Sequence, residues 1–411
     1  MARGSDLIVG LDLGTTKTCA IVAEAHHGGV DVIGIGISPS KGLKKGMMVN
    51  IDATVEAIRR ALEEAELMAG AKVGSVFVGI AGGHIKGLNS RGVIAISGKG
   101  REVSREDVER VIDAAKAMAL PPDREVIHVL PQEFAIDDQR GIKEPLGMSG
   151  IRLEAEVHIV TGAASSIQNI VKCVHRAGLD VQDIVLQPFA SSLAVLTPDE
   201  KELGVVLVDI GGGTSDIAVF VDGNLLYTAV LALGGDHVTH DIAIGLRTPA
   251  HEAEELKRKH GCALASLVQD HETIEVMSVG GRKSRVLPRR MLAEVIQPRM
   301  EEIFLLVERE IRKGGYLDRI AAGIVLTGGS SLMEGLPELG ERVFDLPVRR
   351  GLPWGVGGLI DVVASPIYAT GVGLVLYGAE RRKRRRFKPP MDGHLIGRVV
   401  RRIGQWFNEF F

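Results

Sequence analysis

A chain of 411 residues is longer than the roughly 250 to 300 residues at which a single hydrophobic core stops growing, so two or more domains are expected. Hydrophobic residues make up 45% and charged residues 25%, and no apolar run approaches the ~20 residues of a membrane-spanning helix, which excludes disordered and membrane-spanning classes. The net charge of -3 is unevenly distributed, because residues 381–411 contain ten Lys or Arg and only two carboxylates.

The amino terminus enters a strand-like run at Leu7 without the long apolar stretch of a secretory signal, so a cytoplasmic protein is expected. The chain has three cysteines, and they are far apart: Cys19, Cys173 and Cys262. Their spacing fits neither a metal site nor a redox pair, and we interpret them as reduced packing residues.

The first candidate site is a hairpin near the amino terminus. Residues 7–12 and 19–24 are apolar runs with β propensity, and the turn between them is polar and contains glycine. Its candidate ligand contacts are Asp12, Gly14, Thr15, Thr16 and Lys17.

A compact insertion is predicted over residues 84–161. Its strand candidates are 92–97, 125–130 and 155–160, and a helix is predicted to begin at Ser104, where a capping pattern precedes an apolar face. Together these elements predict an αββ-type module.

The hairpin pattern recurs in the second half of the chain. Residues 205–209 form an apolar run that ends at Asp209, and residues 217–221 form the next one. The turn between them contains Gly211, Gly212, Gly213 and Thr214. Both copies read strand, Asp, apolar residue, Gly and a small or hydroxyl pair, which predicts two structurally related halves.

These turns contain the residue types that phosphate binding needs. Backbone N–H groups of glycine approach oxygens closely because no Cβ intervenes, Lys17 adds a positive charge, and the threonines add hydroxyl donors. Carboxylates beside a triphosphate would repel it unless a cation lay between them, so Asp12 and Asp209 are predicted to hold hydrated Mg²⁺. One such hairpin alone is equally consistent with a structural turn, but two matching copies favour a nucleotide site.

Further elements follow the second hairpin. Helices are predicted over 248–260 and 288–313, and a buried strand over 321–327 is broken by Gly328, Gly329 and Ser330. A six-residue basic run, 381–386, precedes two prolines, and the globular body is expected to end near residue 380.

The last segment, residues 395–411, is predicted to be an amphipathic helix. At 100° per residue its apolar side chains fall on an arc of about 160°, opposite the polar ones. The predicted membrane contacts are Leu395, Ile396, Val399, Ile403, Trp406, Phe407, Phe410 and Phe411, with the basic residues Arg398, Arg401 and Arg402. A core helix, a partner-binding helix and a nucleic-acid tail are alternatives, but an apolar face beside basic residues favours anionic lipid over nucleic acid.

In the order of these motifs the chain resembles the superfamily of actin, heat-shock chaperones and sugar kinases over most of residues 6–380. The two connecting segments of that superfamily are similar to 187–194 and 364–378, and its adenosine loop is similar to 327–331. The resemblance implies an α/β, actin-like two-domain fold with duplicated ribonuclease-H-like cores around a nucleotide cleft. It also implies ATP and Mg²⁺ as cofactors.

The same resemblance assigns three more residues to the site. Glu254 and Lys257 are similar to a pair that contacts the nucleoside, although a solvated ion pair is the alternative. Gln187 stands where chaperone-like members carry Glu. Because an amide can position a water but cannot accept its proton, slow ATP hydrolysis at most is expected.

The stretch 34–46, the insertion and the basic tail together resemble FtsA, a family of bacterial actin-like cell division proteins. The resemblance implies subdomains 1A (6–83 and 162–200), 1C (84–161), 2A (201–230 and 305–380) and 2B (231–304). A basic linker (381–394) and a membrane-targeting helix (395–411) would follow.

The FtsA resemblance also implies partners. Subdomain 2B would bind the C-terminal peptide of the tubulin-like protein FtsZ through Arg299 and Glu302, although an ordinary exposed helix face is the alternative. The protein would self-associate into filaments, contact other divisome proteins through 1C, and tether FtsZ filaments to the cytoplasmic face of the cell membrane at the septum. No nucleic-acid partner is expected.

Two rival classes share the fold. A sugar kinase would need a small-molecule pocket and a catalytic base aimed at a hydroxyl, and would have no use for a membrane tail. A chaperone would need a substrate-binding domain after the nucleotide domain, for which the residues after 380 leave no room.

Overall fold

The architecture comes from a computed structural model that describes residues 7–26, 28–97, 99–117, 120–279 and 283–386. The mixed α/β chain forms two sheet-centred halves and an inserted domain, which confirms the predicted actin-like fold class. Among the residues described, no helix is long and apolar enough to cross a membrane.

The first half is built on a six-stranded sheet of order β11-β6-β1-β2-β3-β19. Its strands are β1 (Leu7–Leu13), β2 (Lys17–His26), β3 (Gly29–Pro39), β6 (Ser75–Ile80), β11 (Asp180–Leu186) and β19 (Gly357–Gly358). A small hairpin, β4 (Leu43–Lys44) and β5 (Met47–Met48), follows β3. The helices of this half are α1 (Ile51–Ala69), α3 (Ala164–Arg176), α4 (Gln187–Val195) and α5 (Pro198–Leu203).

The second half repeats this arrangement in a five-stranded sheet of order β14-β13-β12-β17-β18. Its strands are β12 (Val205–Ile210), β13 (Ser215–Val221), β14 (Asn224–Leu231), β17 (Ile324–Thr327) and β18 (Val348–Arg350). In both sheets three antiparallel strands are followed by two parallel ones. The predicted internal repeat is therefore confirmed.

Four helices pack around the core of the second half: α6 (Gly235–Gly245), α7 (Ala250–His260), α8 (Arg289–Gly314) and α9 (Leu336–Phe344). The last two helices, α10 (Ile360–Val363) and α11 (Ala369–Arg386), contribute instead to the core of the first half, where α11 packs against α4 and β1. A two-stranded hairpin, β15 (Thr273–Val276) and β16 (Arg285–Pro288), leads into α8. Helix α8 buries a stripe that includes Ile296, Met300, Phe304 and Val307, at the i, i+4, i+8, i+11 spacing of an amphipathic helix.

The insertion folds around its own core. Its antiparallel sheet has the order β7-β10-β8-β9, with β7 (Lys86–Ala95), β8 (Arg124–Ile136), β9 (Gln139–Ile142) and β10 (Arg152–Ala163). Helix α2 (Arg105–Lys116) covers it and begins at the predicted capping box, in which Ser104 and Asp107 exchange hydrogen bonds. Strand β9 was not predicted from the sequence, because a four-residue strand gives too short an alternation to detect.

Helix α11 differs from the prediction at its end. It continues through Arg386, so the segment predicted to be a basic linker from residue 381 begins inside a helix. Arg381 anchors the helix just past residue 380, since its guanidinium pairs with the buried carboxylate of Asp183, which also accepts a hydrogen bond from Tyr377 at 2.8 Å. The predicted membrane helix, 395–411, lies outside the described residues.

The cysteine interpretation is also confirmed. Cys19, Cys173 and Cys262 are free and buried. Burial raises the pKa of the Cys19 thiol to about 11, so it is an unreactive packing residue at neutral pH.

Candidate nucleotide-binding site

The two predicted turns have the same local geometry. In the β1–β2 turn the N–H of Gly14 donates to the carbonyl of Lys17 at 3.0 Å, and in the β12–β13 turn the N–H of Gly211 donates to the carbonyl of Thr214 at 2.9 Å. One closing hydrogen bond thus shapes both turns, which we call loop 1 (residues 14–17) and loop 2 (residues 211–214).

Loops 1 and 2 touch each other. A Cβ on Gly212 would lie 2.0 Å from Thr16 Oγ1, and a Cβ on Gly213 would lie 2.8 Å from Thr15 Oγ1. A side chain at either position would therefore collide with the threonines of loop 1. Glycine leaves the backbone of loop 2 close to these hydroxyls, and glycine N–H groups beside hydroxyl donors are suited to receive phosphate oxygens.

Two carboxylates lie behind the loops, each fixed by its own partners. Asp12 accepts hydrogen bonds from Lys17 Nζ at 3.1 Å and from Gln187 Nε2 at 3.1 Å. Asp209 accepts one from Ser191 Oγ at 2.9 Å. Their side chains are consequently held in place before any ligand arrives.

The electrostatics of these groups favour a bound cation. Burial raises the pKa of Asp209 to about 6. Burial and the neighbouring Asp209 carboxylate raise the pKa of Asp216 to about 8. Although burial alone would lower the pKa of Lys17, Asp12 raises it above the ordinary lysine value. Lys17 is thus fully charged and is paired with Asp12, but it does not offset the effect of burial on Asp209.

Asp216 also has an oxygen without a partner. Its Oδ2 accepts a hydrogen bond from Thr214 Oγ1 at 3.0 Å, but the buried Oδ1 has no hydrogen-bond partner among the described residues. A buried carboxylate oxygen left unpaired is costly, and a proton, a water or a cation would satisfy it. The donor set therefore fits hydrated Mg²⁺, which takes oxygen ligands. The described residues contain no cluster of three or more His, Cys, Asp or Glu side chains able to hold a metal by themselves.

The residues predicted at the nucleoside end also converge on loop 2. Ser330 Oγ donates to the carbonyl of Gly211 at 3.2 Å. Gly328 has φ 81°, and a Cβ there would lie 2.3 Å from Asp209 Oδ1. Gly329, by contrast, has ordinary space around its Cβ position, with Ile367 3.6 Å away.

Glu254 and Lys257 join the same region from α7. Lys257 Nζ pairs with Glu254 at 2.6 Å and donates to the carbonyl of Gly235 at 2.9 Å. Gly235 is the first residue of α6, next to the carbonyls of loop 2. The pair is therefore an anchored part of the cleft rather than a solvated ion pair on an isolated helix.

Three polar side chains beside the candidate site were not predicted from the sequence: Ser191, Asp216 and Thr370. Ser191 lies on α4 and Thr370 on α11, and their hydroxyls meet at 3.0 Å beside Asp209. The sequence could have indicated Asp216, since it follows loop 2 by two residues. In the structure it faces Asp209 across the β12–β13 pairing. No sequence pattern indicated the two hydroxyls, because only the packing of α4 against α11 brings them to the site.

Arg299 and Glu302 lie away from this cleft, on α8. Arg299 Nε and Nη2 contact the two oxygens of Asp241 on α6 at 2.6 and 3.1 Å, and Arg299 also pairs with Glu302. Helix α8 is thus tied to α6 at this point. The predicted membrane contacts from Leu395 to Phe411 lie outside the described residues.

Comparisons with known proteins identify the relatives of this chain. Residues 206–373 match the family described as "Cell division protein FtsA", and residues 82–161 match the "SHS2 domain inserted in FTSA". The chain is 57% identical to Cell division protein FtsA of Pseudomonas aeruginosa over 380 residues, covering 92% of this chain and 91% of that protein. It is 45% identical to the protein of the same name from Escherichia coli K12, with 100% and 98% covered.

Solved structures show the same fold at low sequence identity. A PilM-PilN type IV pilus biogenesis complex matches with a TM-score of 0.65 at 18% identity, over 90% of this chain and 98% of that one. MreB5 of Spiroplasma citri, described as bound to ADP, matches with a TM-score of 0.57 at 13% identity, over 94% and 100%.

Proposed function

Because the chain belongs to the FtsA family of cell division proteins, we propose that it acts as a Mg²⁺- and ATP-binding cell division protein on the cytoplasmic face of the cell membrane. Its role is in cell division, and the sugar-kinase alternative is not favoured. The observation that carries the nucleotide assignment is the pair of equivalent loops, closed by the same hydrogen bond and backed by Asp12 and Asp209.

Within this site each group has a distinct task. The N–H groups of Gly212 and Gly213 would cradle phosphate oxygens, Gly211 would close the turn through its own N–H, and Lys17 would neutralise part of the phosphate charge. Asp12 and Asp209 would hold Mg²⁺ through its waters, and Mg²⁺ would screen the phosphates from the carboxylates.

Hydrolysis is expected to be slow. Gln187 Nε2 donates to Asp12 and to the carbonyl of Leu13 at 3.3 Å, so the orientation of the amide is fixed at the mouth of loop 1. A fixed amide can orient an attacking water, but it cannot take the proton of that water at neutral pH. The nucleotide would therefore serve chiefly to set the conformation and assembly of the protein.

We further propose that the protein self-associates into filaments on anionic lipid and tethers FtsZ filaments there at the septum. Head-to-tail contacts between different faces do not close into a ring, so they generate filaments. With ATP and anionic lipid monolayers, we expect electron micrographs to show filaments. Without ATP, we expect that no filaments form. Only isolated particles in the presence of ATP would contradict self-association. The insertion, 1C, would contact other divisome proteins.

The proposed binding surface for the FtsZ C-terminal peptide includes Arg299 and Glu302 on α8. We expect Arg299→Glu to weaken peptide binding at least tenfold, measured by fluorescence anisotropy, because a charge-assisted hydrogen bond becomes a repulsion. ATP affinity should stay unchanged, since α8 carries no residue of the nucleotide site.

Because Arg299 also pairs with Asp241, this variant needs a control for local structure. The double variant Arg299→Asp with Asp241→Arg restores the internal ion pair with its charges exchanged. If Arg299 binds peptide directly, the double variant remains defective. Recovery of full peptide affinity in the double variant would assign Arg299 a purely structural role.

A further inference from the structure

The β4–β5 hairpin has a short, strained tip. The tip consists of Lys45 and Gly46, whose φ angles are 51° and 73°. Two successive left-handed residues are what a type I′ turn requires, and glycine at the second position meets that requirement without strain. The tip is therefore held in one conformation rather than being an open loop.

This tip lies where loops 1 and 2 meet. The N–H of Gly46 donates to Thr15 Oγ1 of loop 1 at 3.2 Å. On the other side, a Cβ on Gly213 of loop 2 would lie 3.0 Å from both the N and the Cα of Lys45. The hairpin tip is thus a third wall of the proposed phosphate site.

Lys45 brings an uncommitted positive charge to this wall. Its side chain is exposed and makes no ion pair with the residues that the structure describes, whereas Lys17 is already paired with Asp12. An extended lysine stem reaches about 6 Å from its Cα. From a Cα packed against Gly213, the Lys45 ammonium can therefore reach a phosphate group held by loop 2.

The same tip contacts the base of the inserted domain. A Cβ on Gly82 would lie 2.9 Å from the carbonyl oxygen of Gly46, so the two backbones are in direct contact. The carbonyl of Gly82 accepts a hydrogen bond from Ile85 at 3.0 Å, immediately before β7. A shift of the tip consequently displaces the point at which the chain enters the insertion.

We propose that Lys45 is a phosphate-sensing residue, which binds the terminal phosphate of a nucleoside triphosphate. Binding of this phosphate shifts the contact between Gly46 and Gly82 and thereby changes the base of the inserted domain. The proposal rests on the nucleotide site proposed above. In it, Lys45 makes the protein distinguish a nucleoside triphosphate from a nucleoside diphosphate. In this arrangement loops 1 and 2 would hold the phosphates that both ligands share, and the additional phosphate of the triphosphate would extend toward the hairpin tip.

The first test compares the affinities of the full chain for Mg-ATP and Mg-ADP. Lys45→Ala is expected to lower Mg-ATP affinity about tenfold, the size of a lost charge-assisted hydrogen bond, and Mg-ADP affinity less than about twofold. Lys45→Arg should retain most of the preference. The matched control is Lys44→Ala, which removes an exposed lysine from the same hairpin and should change neither affinity.

An equal loss for both nucleotides, or an unchanged Mg-ATP affinity, would overturn the sensing role while leaving the nucleotide site intact. A wild-type chain that binds neither nucleotide would overturn both proposals. The second test is hydrogen exchange of the β7 amides, which should differ between the ATP and ADP complexes of the wild type. That difference should disappear in Lys45→Ala, and its persistence would refute the coupling to the insertion.

Discussion

Replacing Asp209 with Ala is expected to lower the affinity for Mg-ATP about a hundredfold or more, a loss of roughly 2.7 kcal/mol. The carboxylate lies behind loop 2 in a position fixed by Ser191. Without it, one of the two proposed anchors of the hydrated cation disappears, and Mg²⁺ no longer screens the phosphates effectively. Equilibrium titration with a fluorescent ATP analogue in the presence of Mg²⁺ measures the effect, and an unchanged affinity would refute the site.

The stability of the ligand-free protein distinguishes this outcome from misfolding. Burial raises the folded-state pKa of Asp209 to about 6, so ionising it costs folding free energy as the pH rises from about 4 through 6. Asp209→Asn removes that cost while keeping an oxygen to accept the Ser191 hydrogen bond. We expect its Tm at pH 7 to rise by roughly 2 °C while Mg-ATP binding falls. A lower Tm would contradict this account.

A second variant tests the nucleoside end of the same site. Gly329→Asp is expected to abolish ATP binding, because the Cβ position has room and the added carboxylate would enter the cleft. Gly329→Ala is the matched control, and it should fold and bind nearly normally. Equal ATP affinity in the Asp variant would exclude this loop from the site.

The other large effect is expected in the tail. Deleting residues 395–411, or changing Trp406 and Phe407 to Glu, should move the protein from the membrane to the soluble fraction. Each Lys or Arg near an anionic surface contributes about 1 kcal/mol, and the aromatic residues add burial of apolar area. Either contribution alone gives only marginal membrane binding, so both are needed for firm attachment.

Co-sedimentation with anionic and with neutral liposomes measures this attachment. Asn408→Glu, on the polar side of the predicted helix, is the matched control and should retain most lipid binding. All variants should keep wild-type Mg-ATP affinity, because no site residue lies in the tail. If the truncated chain sedimented with anionic liposomes as well as the full chain does, the membrane-anchor interpretation would be wrong.

The local chemistry of the site could be predicted from sequence because it is short-range. A strand, an aspartate and a glycine-containing turn specify one hairpin, and the recurrence of this pattern indicated the duplicated fold that the two sheets confirm. The capping box at Ser104 was likewise predictable, since all its groups lie within four residues.

Tertiary structure alone decided how these pieces meet. The hydroxyls of Ser191 and Thr370 are 179 positions apart and meet only because α4 and α11 pack together. The position of Lys45 against Gly213 depends in the same way on two halves closing around one cleft. Sequence by itself therefore determined the residue types and the turn pattern of each loop. Packing between distant segments, which no local pattern encodes, decided which hydroxyls lie beside Asp209 and how the hairpin contacts both loops.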